Sequence, residues 1–289
     1  MSVEDQAAEL LRSLGMNNLE AEVYTYLLRR GESATGYRIG KALGRPTANV
    51  YKAIDALAWK GAVLVDEGTT RLCRPSPPVE FLGQLESSLL ERTKQAAELL
   101  SHLGSPSEDE GIYHLQSAPL VLERCRAMLG RCEKIAIVDA FPVALEAVLP
   151  AVHQAIKRGA QVYVQVYQAC AIPGAHIAHA YQSEEILAHW ISQQLNVVVD
   201  SQEVLLALLH ADISDVFQAV WTSSLYLSCA MHVGLMREHV FHRIAGLRNQ
   251  PDFPAEVREL LDQQAFFHSA TAPGQQKLLA RFAVTQEPG

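Results

Sequence analysis

Residues 46–61 read Pro-Thr-Ala-Asn-Val-Tyr-Lys-Ala-Ile-Asp-Ala-Leu-Ala-Trp-Lys-Gly, and the rest of the N-terminal region is best understood around this stretch. Val50, Ile54 and Leu57 recur at the spacing of one helix face, which predicts an amphipathic helix with one buried side. Gly61 marks its end, because glycine readily adopts the left-handed backbone found just after helices. Small and polar residues near the start of the other face suit a helix that enters the DNA major groove.

The sequence on either side supplies the remaining elements of a winged helix-turn-helix. Asn17 with Glu20 three residues later is an asparagine form of the capping box, which predicts a helix start there. The predicted helices cover 3–14, 18–30, 35–43 and 46–60, and the predicted strands cover 62–65 and 69–74. The last three of these helices, followed by the two-stranded hairpin within the first 75 residues or so, give the winged-helix order.

Two groups of residues are predicted to contact double-stranded DNA. Asn49 can pair with an adenine through two hydrogen bonds, and the methyl group of Ala48 can touch a thymine methyl. Arg45 and Lys52 lie where phosphates are expected. The predicted contacts are Arg45, Thr47, Ala48, Asn49 and Lys52 around the recognition helix, and Thr69, Thr70 and Arg71 at the tip of the hairpin. The hairpin tip, or wing, is expected to touch the DNA backbone or the minor groove.

Charge is distributed unevenly along the 289 residues, whose net charge is -8. Residues 35–75 contain seven Lys and Arg against three Asp and Glu, whereas the chain beyond residue 75 contains 14 against 23. A small basic segment joined to an acidic body can accompany a nucleic-acid module fused to another domain. The alternative is a protein-interaction module that retains a winged helix without binding specific DNA.

A long helix is predicted after the hairpin. Its apolar stripe is formed by Leu82, Leu85, Leu89, Leu99 and Leu103. A lone helix must bury such a stripe, either on its own unit or on a symmetric partner helix, and we expect a homodimer. Polar residues 104–111 then predict a linker. The expected organisation is a DNA-binding domain over 1–78, a connector helix over 79–104 and a regulatory domain over 105–289.

Beyond the linker, strands and helices alternate, and the chain as a whole is predicted to be a multidomain α+β protein. The alternation favours a partly parallel sheet, and the later run of strands favours an antiparallel portion. The predicted strands cover 112–115, 135–138, 162–167, 197–199, 204–209 and 217–221. The predicted helices cover 120–129, 143–157, 183–194 with Ser183 as cap, and 225–244, with helical patches at 257–261 and 277–282.

Two stretches of the N-terminal region resemble a known family. Residues 14–28, Leu-Gly-Met-Asn-Asn-Leu-Glu-Ala-Glu-Val-Tyr-Thr-Tyr-Leu-Leu, look like the opening helix of the TrmB-type transcriptional regulators, and residues 46–61 are similar to that family's recognition helix. The resemblance covers residues 10–85 well, and a looser one extends to the later α/β order and to residues 217–244. It implies a phospholipase-D-like α/β effector domain, a dimer, a small-molecule effector such as a sugar, and repression or activation of transcription.

A phospholipase-D-like fold raises the question of catalysis. That chemistry needs a nucleophilic His with a Lys two residues later, and no His-x-Lys occurs in the chain. In the nearest string, His210-Ala-Asp212, an acidic residue stands where the Lys is required and would oppose phosphate binding. We therefore expect no enzymatic activity, and a divergent phosphodiesterase is the least favoured alternative.

The histidines and glycines indicate neither a metal nor a cofactor. His176 with His179, and His239 with His242, have the spacing at which a helix would place each pair on one face, but no third ligand accompanies them. We expect no metal and, because no Gly-x-Gly-x-x-Gly loop occurs, no cofactor.

Four residues of the C-terminal region are candidates for an effector site. Asp139 and Asp200 stand at the ends of predicted strands, where they can either bind a polyol hydroxyl or cap the next turn. Trp221 and Tyr226 can either stack on a sugar ring or belong to the core.

The sequence lacks the apolar segments that would indicate a membrane or secreted protein. Neither a signal-like segment nor an uncharged apolar run of membrane length occurs, which predicts a cytoplasmic protein without membrane contact. The sequence as a whole predicts a dimeric DNA-binding transcriptional regulator with a non-catalytic effector domain.

Overall fold

The computed structural model describes residues 2–66, 68, 71–103, 110–263 and 272–282. The chain divides into two units, Met1–Ser105 and Pro106–Gly289. In the described residues, no helix combines the length and the apolar character that a membrane span requires.

Unit 1 contains the predicted helices and hairpin. Its elements are α1 (Val3–Ser13), α2 (Asn18–Arg30), β1 (Ala34–Thr35), α3 (Gly36–Leu43), α4 (Thr47–Trp59), β2 (Val63–Asp66), β3 (Leu72–Pro75) and α5 (Pro78–Ser101). The strands form a small antiparallel sheet in the order β1-β3-β2. The two residues of β1 were not predicted as a strand, because so short a segment is ordered by its pairing with β3 and has no periodicity of its own.

Local sequence signals account for the helix boundaries of unit 1. The capping box is confirmed: the Asn17 side chain accepts the Glu20 N–H at 2.9 Å, and the Glu20 carboxylate accepts the Asn17 N–H at 2.9 Å. Gly31 ends α2 with a left-handed φ of 68°. On α4, the predicted inward residues Val50, Ile54 and Leu57 are all buried in the core of the unit. These contacts fix which face of α4 is left outward.

Among the described residues, helix α5 packs on the core of unit 1 near its start. Phe81 is buried, with its ring centroid 5.5 Å from that of Tyr24, and Leu85 is half-buried against the same core. Further along, Leu89 and Leu99 are 56% and 68% exposed. The later part of the predicted apolar stripe is therefore not covered by unit 1.

Unit 2 is built on a seven-stranded mixed sheet. Its strands are β4 (Ile112–His114), β5 (Ile135–Ala140), β6 (Gln161–Val166), β7 (His176–His179), β8 (Gln193–Val199), β9 (Glu203–Leu209) and β10 (Val216–Thr222). Its helices are α6 (Ala118–Arg131), α7 (Pro142–Lys157), α8 (Ser183–His189), α9 (Leu225–Leu247), α10 (Phe253–Gln263) and α11 (Pro273–Phe282).

The sheet order is β4-β10-β9-β8-β5-β6-β7. Strands β5, β6 and β7 are parallel, and the remaining neighbours are antiparallel. The partly parallel sheet with a later antiparallel portion agrees with the prediction, although β7 itself was not predicted. Helices α6 and α7 cover the core on one face, where Val121 and Val148 pack with strand residues such as Val164. Helix α9 lies on the other face, where Met236 packs with Tyr163.

Two predictions for unit 2 are wrong, and one strand of its sheet was not predicted. The helix predicted over 183–194 ends at His189, because Gln193 and Gln194 begin β8 and pair with Leu209 and Leu208 of β9. Ser183 is the first helical residue and not the cap, which is Gln182. Strand β7 was missed, because its four residues contain only two apolar side chains and are ordered by pairing with β6.

Candidate functional site

The recognition helix α4 presents the predicted base-contacting residues outward. Ala48, Asn49 and Lys52 are exposed, and Thr47 is half-buried at the first position of the helix. Two of the predicted wing residues, Thr69 and Thr70, lie outside the described residues. The exposed side chains near the start of α4 leave that surface open to the edges of base pairs.

Two glycines allow α3 and α4 to approach each other closely. A Cβ on Gly40 would lie 3.0 Å from the backbone oxygen of Arg45, and one on Gly36 would lie 2.6 Å from the ring of Tyr51. Larger residues at either place would push α4 away from α3. The helix-turn-helix geometry thus depends on these two glycines, a role that the sequence pattern did not predict.

Arg45 does not extend freely from the turn before α4. Its Nη2 and Nε donate to the two carboxylate oxygens of Glu22 on α2, at 2.8 and 3.0 Å. These hydrogen bonds raise the pKa of Arg45. A phosphate contact by this arginine would have to compete with Glu22 or share its guanidinium with it.

Arg71 is likewise held by an acidic residue, this time on the recognition helix. Its Nη2 donates to Oδ1 of Asp55, and its guanidinium carbon lies 5.9 Å from the ring centroid of Tyr51. The side chain of Arg71, which was predicted as a wing contact to DNA, is therefore held against α4. Sequence reasoning missed this pair because the two residues are 16 positions apart.

Further basic residues surround α4. Lys60 is held internally, since its Nζ donates to Glu20 at 2.7 Å. Arg38 and Lys41 on α3 and Arg74 on β3 are exposed. These three were not predicted as contacts, although the excess of basic residues over 35–75 was a signal for them. They add to the positive charge that Lys52 supplies.

A second polar site lies in unit 2, centred on Asp139 of β5, which is 2% exposed. Its carboxylate accepts hydrogen bonds from Tyr167 Oη at 3.0 Å, Gln194 Nε2 at 2.6 Å and Asn196 Nδ2 at 3.2 Å. Gln165 Nε2 donates to Tyr167 Oη at 3.0 Å. We call these five residues the Asp139 network. Three donors engage the Asp139 oxygens, and two of them, the amides of Gln194 and Asn196, are only half-buried.

Burial shifts the protonation of this network. It raises the pKa of Asp139 to about 6, and the nearby carboxylate of Glu238 adds to the rise. Burial also raises the pKa of Tyr167. Glu238 itself has a lowered pKa, chiefly because of its hydrogen bond with His242. Within the network, Asp139 therefore takes up its proton at about pH 6.

Of the other candidate ligand residues, Asp200 and Trp221 make contacts within the fold, and Tyr226 is exposed. Asp200 accepts the backbone N–H groups of Glu133, Lys134 and Ile135 at 2.8 to 2.9 Å, which is a structural role. Trp221 donates through Nε1 to Glu203 at 3.0 Å. The guanidinium carbon of Arg124 lies 4.2 Å from the centroid of the Trp221 ring. Tyr226, in contrast, is 69% exposed.

The histidine pairs do not converge on a metal. His176 and His179 lie on strand β7, where residues three apart point to opposite faces, so the helical spacing considered for them does not apply. The His242 Nδ1 accepts the Tyr181 N–H at 2.9 Å, while His239 is buried beside Tyr163. Among the described residues, no group of three or more potential ligands could hold a metal ion.

The string around His210 lies in the turn between β9 and β10. The His210 ring stacks on Phe217 with centroids 4.1 Å apart. The Asp212 carboxylate is exposed and accepts hydrogen bonds from the N–H and hydroxyl of Ser214. These contacts stabilise a turn.

Replacing Asp139 with asparagine is expected to make unit 2 more sensitive to acid. Burial lowers the pKa of His232 and His239 from 6.5 to about 4, so the unfolded chain takes up more protons there and stability falls as the pH drops through that range. Asp139 opposes this trend between pH 3.8 and about 6, because its folded form takes up the proton first. In Asp139→Asn this opposing effect is lost. As the pH falls from about 6 toward 3.8, the free energy of unfolding of the variant should therefore decrease by about 1.4 kcal/mol per pH unit more than that of the wild type.

Urea denaturation at pH 7 and pH 5 would measure this difference. Asp262→Asn, which neutralises an exposed carboxylate of the same unit, is the matched control. Equal pH dependence in Asp139→Asn and the wild type would contradict the raised pKa of Asp139.

A comparison with protein-family models finds a match that lies in the N-terminal unit. Residues 11–79 match the model of the family described as "Sugar-specific transcriptional regulator TrmB", which confirms the resemblance over that stretch. No curated protein matches the chain in sequence.

Solved structures show more distant likeness. One is described as "Structure of TrmBL2, an archaeal chromatin protein, shows a novel mode of DNA binding"; it is 16% identical, with 82% of this chain and 98% of that chain covered and a TM-score of 0.35. Another, NucT from Helicobacter pylori, is 8% identical, with 44% of this chain and 93% of that chain covered and a TM-score of 0.34.

Proposed function

We propose that the chain is a DNA-binding transcriptional regulator that works as a homodimer. The observation that carries this proposal is the outward face of α4, where Ala48, Asn49 and Lys52 are exposed on a helix whose other face is fully buried. The match to the family of sugar-specific transcriptional regulators covers this helix and its supporting core. The cytoplasmic location expected from the sequence is part of the proposal.

We further propose that unit 2 is a phospholipase-D-like effector domain without catalytic activity. The absence of His-x-Lys from the sequence supports this, together with Asp212 in the position that the reaction would need to be basic. The half-buried amides of Gln194 and Asn196 beside Asp139 are suited to the hydroxyls of a small polyol such as a sugar. Ligand binding would then change the relative placement of two recognition helices and their fit to DNA half-sites.

The test is selective retention of DNA by the full chain. We expect it to enrich specific sequences from a pool of duplexes with a randomised core, and its affinity to fall as salt rises, because basic side chains displace counterions from phosphates. A winged helix used for protein contacts would neither enrich a sequence nor bind DNA in a salt-dependent way, and that outcome would favour the interaction-module alternative.

Replacing Asn49 with alanine is expected to remove sequence preference at one base position of each half-site. A two-hydrogen-bond contact between asparagine and adenine contributes about 1–3 kcal/mol of discrimination. The same enrichment experiment on the variant measures the loss. Asn18→Ala, an exposed asparagine on α2, is the control and should leave the selected sequence unchanged. Retained preference at every position in Asn49→Ala would contradict the placement of α4 in the major groove.

A further inference from the structure

Arg71 reaches the recognition helix from the wing side. It directly precedes β3, whose first residue Leu72 pairs with Asp66 across the hairpin. Its guanidinium donates to Asp55 and lies over Tyr51, two residues that are one turn apart on α4. The charged end of the wing arginine is therefore held against α4.

Asp55 belongs to the outward side of that helix. It lies three residues after Lys52 and seven after Ala48, so the three share one helical stripe. Its side chain is 57% exposed, and that of Arg71 is 36% exposed. The ion pair thus borders the surface that faces the groove in the proposed function.

An acidic side chain at this place needs an explanation. A carboxylate that faces DNA repels the phosphates unless a cation compensates it. If Arg71 moved away to a phosphate, Asp55 would lose the partner that it has in the free protein. If Arg71 stays on Asp55, the carboxylate remains compensated.

The chemistry of guanidinium makes the second arrangement useful. It carries five N–H donors in a planar fork, so one edge can donate to a carboxylate while another pair meets O6 and N7 of a guanine. A side chain that is already held in place also loses less conformational freedom on binding.

We propose that Arg71 reads a guanine in the major groove, with Asp55 as the positioning residue that holds its guanidinium. This inference rests on the proposed DNA-binding function. It replaces the sequence-based expectation of a phosphate contact for Arg71 with a contact that determines sequence specificity.

The test is enrichment from duplexes with a randomised core, carried out with the full chain and with Arg71→Lys, Asp55→Asn and Arg12→Lys. Lysine keeps the charge and loses the fork, so Arg71→Lys should lose about 5-fold to 100-fold of the preference for one G·C pair per half-site while the salt dependence is retained. Arg12→Lys makes the same exchange at an exposed position of α1, a helix with none of the predicted DNA contacts, and should leave the preference unchanged.

Asp55→Asn separates positioning from a merely structural role. Removing a negative charge that faces DNA should strengthen binding to unrelated duplexes, while the preference for the same G·C pair weakens. Thermal unfolding of each variant checks that the fold is kept.

The outcomes distinguish the two proposals. If the wild type binds DNA and Arg71→Lys enriches the same sequences, the guanine contact is refuted and the DNA-binding function stands. If Asp55→Asn keeps the full preference, Asp55 is not a positioning residue. If the wild type shows no salt-dependent retention of DNA, the proposed function and this inference fail together.

Discussion

Replacing Leu89 and Leu99 with aspartate is expected to convert the full chain from a dimer to a monomer and to lower its affinity for duplex DNA by about 100-fold or more. Both leucines are exposed on α5, beyond the part that Phe81 and Leu85 anchor on unit 1. They lie on one helical stripe with Leu82 and Leu103, which is broken over residues 92–95. Two charges on that stripe would have to be buried in the dimer, whereas the monomer leaves them in water.

Light scattering at micromolar concentration measures the assembly, and titration of a selected duplex measures the affinity. Ser87→Asp with Ser101→Asp adds the same two charges on the opposite side of α5 and should leave the dimer intact. Leu85 is unsuitable for this test, because its half-buried side chain also supports unit 1. A monomeric wild type would refute the dimer, and a dimeric Leu89→Asp/Leu99→Asp variant would place the interface elsewhere.

Replacing Asp200 with alanine is expected to lower the free energy of unfolding of unit 2 by about 3–5 kcal/mol. The carboxylate accepts three backbone N–H groups that precede and begin β5, of which that of Ile135 is buried and the other two are part-buried. A hydrogen bond to a charged group contributes about 1.5–3 kcal/mol. Asp200 also has a φ of 53°, a left-handed conformation that aspartate and asparagine tolerate better than alanine does.

Asp200→Asn is the matched comparison, because it keeps one acceptor oxygen and the tolerance for that backbone, and it should lose less stability. Urea denaturation in a Trp59→Phe background would follow Trp190 and Trp221 of unit 2 alone. Unchanged midpoints in both variants would mean that the carboxylate does not hold the start of β5, and would return Asp200 to the list of candidate ligand residues.

Sequence periodicity and capping were sufficient to predict most of the fold. Asn17 with Glu20, and the spacing of Val50, Ile54 and Leu57, act within one or two helical turns, so a linear pattern contains them. Strands β1 and β7 could not be predicted, because they are ordered by neighbouring strands that are distant in sequence. The end of α8 was predicted wrongly for the same reason: Gln193 and Gln194 belong to β8 because they pair with β9, which follows later in the chain.

The candidate site was predictable only as far as residue type and helix face. The outward position of Asn49 and Lys52 follows from the period of α4. The partners of Arg45 and Arg71 do not, because Glu22 and Asp55 meet them only after α2, α4 and the hairpin have packed. Asp139 was predicted as a candidate effector-site residue at a strand end, but its hydrogen-bond partners come from two distant places, Tyr167 and the β8 residues Gln194 and Asn196.

The sheet order of unit 2 also has a consequence for synthesis on the ribosome. Strand β4 pairs with β10, so Ile112 cannot pair with Thr222 until the ribosome has synthesised the 110 residues that follow Ile112. At about 5–20 residues per second, that interval lasts about 5–20 s. The elements of unit 1 are already complete by then, whereas exposed strand edges of unit 2 await their partners. Slower translation beyond β4 would therefore prolong the aggregation-prone stage of unit 2 without delaying the folding of unit 1.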